Sequence, residues 1–158
     1  MHSARLANVL LIEDAVPDIE LAVALMYLEN VHFNLHNTRD GEEAIDFLSK
    51  RGQFQKTHTP DIILLDLGLP KKSGNEVLTF IKSTPKLSDI PIFILSASEN
   101  LEEIQISQNL GAIAHIPKPL TYEKLQKALL NVHSLHFTND GEKIYLCADE
   151  STTNNSVH

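Results

Sequence analysis

The sequence predicts an α/β protein, a doubly wound sheet built from five βα units. Three observations carry that prediction. Short apolar runs alternate with segments whose apolar residues recur at helical spacing, as in βαβ units around a parallel sheet. Three of the runs, Val9-Leu10-Leu11-Ile12, Ile62-Ile63-Leu64-Leu65 and Ile92-Phe93-Ile94-Leu95, are continuously apolar, which suits strands buried on both faces. Each of them ends on polar side chains, Glu13-Asp14, Asp66 and Ser96, where open α/β sheets place their chemistry.

Strands are expected near residues 8 to 12, 33 to 37, 61 to 65, 91 to 95 and 113 to 116. The second alternates, Phe33-Asn34-Leu35-His36-Asn37, and is therefore assigned to a sheet edge. Pro17 suits the first turn of a helix with Ile19, Val23, Met26 and Tyr27 at core spacing. Asp40 caps a second helix through Glu43, with Ala44, Ile45 and Leu48 inward. A third begins near Gly74 or Asn75, buries Val77, Leu78 and Ile81, and stops at Ser83-Thr84-Pro85. The fourth runs from about Leu101 to Leu110 and ends at Gly111. The fifth starts near Thr121, with Leu125, Ala128, Leu129, Val132 and Leu135 on one stripe. Right-handed crossovers make a doubly wound sheet the most economical arrangement of these units. Beyond Phe137 the pattern changes: Thr138-Asn139-Asp140-Gly141 is a turn signal, residues 143–148 suit a short strand, and the chain from Ser151 is polar and expected to be disordered.

The 158 residues are 42% hydrophobic, enough for one packed core and too apolar for a disordered chain. The net charge of −8 and the scattered Lys and Arg argue against nucleic-acid binding. A lone cysteine, Cys147, allows no internal disulfide, and no apolar stretch approaches the roughly 18 residues of a membrane span. Met1 to Arg5 carries no secretory pattern, so a cytoplasmic location is expected, with no room for a second effector domain.

Glu13, Asp14 and Asp66 come from strand ends expected to be neighbours. Facing one another at about 4 Å, each like-charge pair would cost on the order of 4 kcal/mol at an effective dielectric of 20. A divalent cation removes that cost. Carboxylates with retained water suit Mg²⁺ better than zinc, which would call for His or Cys ligands. His133 and His136 have helical spacing but lack further ligands nearby, so they are not assigned to zinc.

The order acid pair, acid, hydroxyl, Lys118-Pro119 at successive strand ends resembles the receiver domain of two-component response regulators of the chemotaxis-regulator type. The resemblance covers residues 6–137 and leaves 138–158 as a C-terminal tail. It implies a flavodoxin-like parallel sheet of five strands in the order 2-1-3-4-5. It also implies phosphorylation of Asp66 by a sensor histidine kinase, with Mg²⁺ held by Asp14, Asp66 and the Gly68 backbone carbonyl, and by Glu13 through water. Lys118 would pair with the phosphoryl group, its bond to Pro119 being cis in the family. Ser96 would donate to a phosphoryl oxygen and move inward. An aromatic residue three positions before the lysine follows that movement in similar proteins; here the position holds His115, a smaller ring that can carry charge. Glycine at position 68 would leave the acyl phosphate open to water.

The implied role is that of a single-domain phosphoacceptor without turnover on a separate substrate, beyond its own phosphorylation and dephosphorylation. Its output would be a protein target meeting the fourth helix, fifth strand and fifth helix, the face through which receivers also form homodimers. The stretch from Asp66 to Gly74, with the long approach Gly52 to Thr59, looks most like bacterial regulators paired with phytochrome-type kinases. Three other classes compete. An aspartyl-phosphate hydrolase of the haloacid dehalogenase type needs a second acid where Gly68 stands. A flavin-binding protein needs a phosphate-cradling loop where Glu13-Asp14 would repel one. A constitutive interaction module would keep the fold without phosphorylation, although this chain retains the acid pair, the aspartate and the lysine.

Overall fold

A computed structural model describes residues 4–97 and 100–149. The strands β1 (Ala4–Leu6), β2 (Asn8–Ile12), β3 (Val31–His32), β4 (Asn34–Thr38), β5 (Ile62–Leu65), β6 (Ile92–Ser96), β7 (Ala114–Pro117), β8 (Leu135–Asn139) and β9 (Ile144–Asp149) alternate with five α-helices. These helices are α1 (Val16–Leu28), α2 (Gly41–Leu48), α3 (Gly74–Ser83), α4 (Leu101–Asn109) and α5 (Tyr122–Ala128).

Five strands form one parallel sheet in the order β4-β2-β5-β6-β7. Counted among the five expected strands, this is 2-1-3-4-5, with the alternating strand at one edge. β2 and β5 are buried at every position, as their unbroken apolar runs require. One face packs Val9, Leu11, Leu64 and Phe93 with Ala22 and Met26 of α1 and Leu125 of α5. The other packs Leu10, Ile12, Ile63, Leu65 and Ile94 with Ala44 and Phe47 of α2 and Val77, Leu78 and Ile81 of α3. Successive residues thus feed opposite clusters, the period-two consequence of the pleat.

Capping fixes where α2 and α3 begin. Asp40 Oδ1 accepts from the Glu43 N–H at 2.7 Å, and Ser73 Oγ accepts from the Glu76 N–H at 3.2 Å. α4 is capped by Asn100, whose Oδ1 accepts from the N–H groups of Glu102 and Glu103, and Gly111 follows it at φ 121°. Within α4 only Ser107 is buried, while Leu101 and Ile106 are exposed, so this helix is lightly seated on the sheet.

Three helices differ from expectation; in α2 the core takes Phe47 beside Ala44 and Leu48, and Ile45 is only half-buried. In α1 the inward residues are Ala22 and Met26, whereas Val23 and Tyr27 are exposed. The segment is apolar around most of its circumference, so helical spacing does not single out a face. α5 stops at Ala128, and Leu135, expected on its stripe, begins β8 opposite Ala148. Asn131, His133 and Ser134 are weak helix formers, and Leu129 and Leu135 reach the same core through turns instead.

A second sheet lies beyond the amino-terminal ends of the main strands. β9 is its centre, antiparallel to β8 on one side, and pairs with β3 and then β1 on the other. Arg5 ties it to the main sheet by two hydrogen bonds to Asp61, at 2.7 and 2.8 Å, while Asp61 also accepts from the Asn8 N–H at 2.7 Å. The segment from Ser151, expected to be disordered, lies outside the described residues.

Candidate functional site

The sheet ladder itself delivers the polar residues. The Glu13 N–H donates to the Thr38 carbonyl, the Asp66 N–H to Ile12 and the Lys118 N–H to Ser96, so each residue is held by one more rung past its apolar run. Asn37 Nδ2 donates to the carbonyls of Leu11, Glu13 and Thr38 and fixes the end of β2. The peptide between Lys118 and Pro119 is cis.

These rungs bring together one carboxylate oxygen each from Glu13, Asp14 and Asp66, all within 4.8 Å of one another. Asp66 Oδ1 accepts from the Gly68 N–H at 3.1 Å and Oδ2 faces Lys118 Nζ at 3.5 Å. Glu13 is 1% exposed; its Oε2 accepts from the Ala15 N–H, while Oε1 takes no well-angled hydrogen bond and faces Lys118 Nζ as an ion pair at 2.5 Å. A buried carboxylate oxygen left without a directional donor, beside two more carboxylates, is a donor set that suits a hard divalent cation.

Burial pushes the Glu13 carboxyl above its ordinary value, opposed by the nearby Lys118 ammonium and reinforced by Asp66. Burial alone would lower the Lys118 ammonium, but Glu13, Asp18 and Asp66 outweigh it and hold it well above its ordinary range. One cation thus serves more negative charge than it can neutralise.

A stability consequence follows with a definite sign. The folded pKa of Glu13 lies above its ordinary 4.5, so the stability this group contributes is full below that value and is lost as pH rises through the folded pKa. Relative to Glu13→Gln, whose amide does not titrate, the parent chain should lose melting temperature as pH rises above about 4.5. Added Mg²⁺ should recover more at pH 7 than at pH 5. A pH-independent difference between the two proteins would contradict this electrostatic picture.

Ser96, Ala97, Asp66, Gly68 and Lys118 line a cavity of about 380 Å³ with Asn75 of α3 and Glu103 and Ile106 of α4. A side-chain atom added at Gly68 would meet only Asp66 Oδ1, at 3.8 Å, so the mouth above the aspartate is open. His115 sits opposite Ile94 in the β6–β7 register, partly buried, with Nε2 unpartnered among the described residues, and is not among those lining the cavity.

The structure adds two residues that the pattern of strand ends did not single out. Asp18, in the first turn of α1, accepts from Lys118 Nζ at 2.9 Å. Pro17 marks the first turn of that helix, but which way the turn faces the strand ends is not set by local sequence. Asn75 follows the Ser73 cap of α3, and its Oδ1 lies 3.5 Å from Ser107 Oγ of α4.

The doubly wound sheet thus carries an aspartate at its central strand end, an acid pair beside it and a lysine facing it. The chain belongs to the response regulator receiver domain family, whose model matches residues 9–130. Response regulator Rcp1 of Synechocystis sp. is 34% identical over 126 residues, covering 80% of this chain and 86% of that protein. Among solved structures, the bacteriophytochrome response regulator RtBRR superposes with a TM-score of 0.75 at 30% identity, covering 87% of this chain and 84% of its own. The phosphorylated cyanobacterial phytochrome response regulator RcpA gives a TM-score of 0.67 at 37% identity, with 78% and 87% covered. Rcp1 has also been solved in a Mn²⁺-bound form, with a TM-score of 0.66 over 81% of this chain and 92% of its own. No helix among the described residues is long and apolar enough to cross a membrane.

Proposed function

We propose that this chain is a single-domain response regulator that accepts a phosphoryl group on Asp66 from a sensor histidine kinase of the phytochrome type. The observation that carries the reading is the Asp66 carboxylate, open to solvent above Gly68 and flanked by Glu13, Asp14 and Lys118. A carboxylate oxygen of Asp66 attacks phosphorus, the bond from phosphorus to the kinase imidazole nitrogen breaks, and that nitrogen leaves with the electron pair. Mg²⁺ held by Asp14, Asp66 and the Gly68 carbonyl, and by Glu13 through water, would supply charge neutralisation and hold the phosphoryl oxygens in line.

Asp66 loses its charge on acylation while the phosphoryl group brings about −2. The Lys118 ammonium offers the nearest fixed positive charge for it, and the Ser96 hydroxyl, on the same cavity, offers a neutral donor. Drawing Ser96 inward would free space beneath the lightly seated α4, with His115 the neighbouring ring that can follow. A protein target, or a second copy of the chain, would then meet the altered face of α4, β7 and α5. Within this reading residues 6–137 carry the phosphoacceptor chemistry, residues 138–149 brace the fold from below, and the protein works in the cytoplasm.

The partner assignment is tested with an autophosphorylated phytochrome-type histidine kinase carrying labelled phosphate. Label should pass to the parent chain and not to Asp66→Asn. Transfer from unrelated histidine kinases at equal or greater speed would overturn the phytochrome assignment while leaving the phosphoacceptor chemistry intact.

A further inference from the structure

Asp18 has no part in the chemistry described above, yet it is closer to the Lys118 ammonium than Asp66 is. The Lys118 Nζ lies 2.9 Å from Asp18 Oδ2 and 3.5 Å from Asp66 Oδ2. The ammonium carries one positive charge, and here it is shared among Glu13, Asp18 and Asp66. Glu13 is 1% exposed just past the end of β2, whereas Asp18 is 44% exposed, so Asp18 is the more readily resolvated of the two on release.

The cavities tell the same story. Lys118 belongs to the walls of two of them: the 380 Å³ space with Asp66 and Ser96, and a second of about 170 Å³ with Asp18, Leu21, Ala22 and Leu120. The ammonium therefore sits at a divide: its shortest contact is to Glu13, and of the two carboxylates on either side Asp18 of α1 is nearer than Asp66. Asp18 is fixed there by the first turn of α1, where its own N–H donates to the Ala15 carbonyl at 3.0 Å and Pro17 sets the turn.

We propose that Asp18 is a positioning residue that draws the Lys118 ammonium toward α1 in the unphosphorylated protein and yields it to the phosphoryl oxygens when Asp66 is modified, so that it sets how readily the site loads. The inference rests on the phosphoacceptor reading of Asp66. Asp18 touches neither the aspartate nor the incoming group in this scheme; it acts through Lys118. Loading requires the ammonium to leave its shorter contact, and the loss of that contact is part of the barrier.

The test is the rate of phosphoryl uptake from phosphoramidate with Mg²⁺, followed by intact mass in the full chain, for the parent, Asp18→Asn, Asp18→Glu, Lys118→Ala and the double variant Asp18→Asn with Lys118→Ala. Asp18→Asn should load roughly two- to fivefold faster, the scale of one half-exposed ion pair, and Asp18→Glu should return toward the parent rate. In the Lys118→Ala background the Asp18→Asn change should leave the rate unaltered, because the two residues act as a unit. An unchanged or slower rate for Asp18→Asn overturns the proposal. The same acceleration with and without Lys118 also overturns it, since that would be a general charge effect on the donor. Melting temperatures of parent and Asp18→Asn within a degree or so of each other would show that the fold is not what changed. If the parent itself takes up no phosphoryl group, the phosphoacceptor reading falls, and this inference with it; a parent that loads with an indifferent Asp18 sinks this inference alone.

Discussion

Lys118→Ala should take up a phosphoryl group on the order of a hundredfold more slowly than the parent chain, the usual effect of removing one fixed charge stabiliser from a reacting centre. The same variant should bind Mg²⁺ more tightly. Lys118 places its ammonium against Glu13 and within 3.5 Å of Asp66, so in the metal-free protein it partly neutralises the carboxylates that a divalent cation would need. Removing it leaves those carboxylates to repel one another, and a metal relieves that repulsion. Metal affinity and phosphoryl uptake therefore move in opposite directions. Calorimetric titration with Mg²⁺ beside a phosphorylation time course checks both; loss of both together would mean that Lys118 chiefly holds the fold of the β7 loop.

Gly74→Ala should damage the site through the backbone. A Cβ at Gly74 would lie 2.6 Å from the Leu67 Cα and 3.0 Å from the Asp66 carbonyl oxygen, and neither can swing aside as a flexible side chain would. The first turn of α3 rests directly on the chain that leaves β5, where the Gly74 N–H also donates to the Leu67 carbonyl at 3.2 Å. Alanine must push α3 away or move residues 66 and 67. Overpacking of this kind costs about 1 to 3 kcal/mol. A displacement near 1 Å at the nucleophile costs roughly a hundredfold in rate. Chemical denaturation and phosphoryl uptake measured on the same preparation should show both losses, whereas Gly68→Ala, which meets only Asp66 Oδ1 at 3.8 Å, should keep the parent stability. Equal stability of Gly74→Ala and the parent would contradict the close packing.

The parallel sheet was legible because its central strands are buried on both faces and so have no freedom to alternate; Ile62 to Leu65 could hardly be anything else. The site was legible for a related reason. A parallel sheet aligns the carboxyl ends of its strands, so Glu13, Asp14, Asp66, Ser96 and Lys118 needed only the correct strand order to become neighbours. Asp18 was hidden because its relation to Lys118, 100 residues away, depends on how α1 rolls on the sheet. That roll was the least legible feature of the helices, since α1 offers apolar residues on nearly every side: Met26 is buried as expected, but Ala22 joins it while Val23 and Tyr27 are exposed.

The carboxy-terminal region shows a second limit. Leu125, Leu129, Val132 and Leu135 keep helical spacing, but only the first lies in α5. Leu135 instead pairs with Ala148 across the β8–β9 hairpin, and β9 finds β1 and β3 as partners. Non-local pairing of this sort overrides local periodicity, and the short strands β1 and β3 gave no signal apart from the longer β2 and β4 that follow them.

The central claim is that Asp66 is a metal-dependent phosphoacceptor. Its most direct test is intact mass after incubation with acetyl phosphate and Mg²⁺, beside a metal-free control and Asp66→Asn. The account predicts the gain of one phosphoryl group in the parent with metal, and none in either control. An unchanged mass under conditions that label an ordinary receiver, or labelling that survives Asp66→Asn, would contradict it, the first outcome leaving a constitutive interaction module as the reading of this fold.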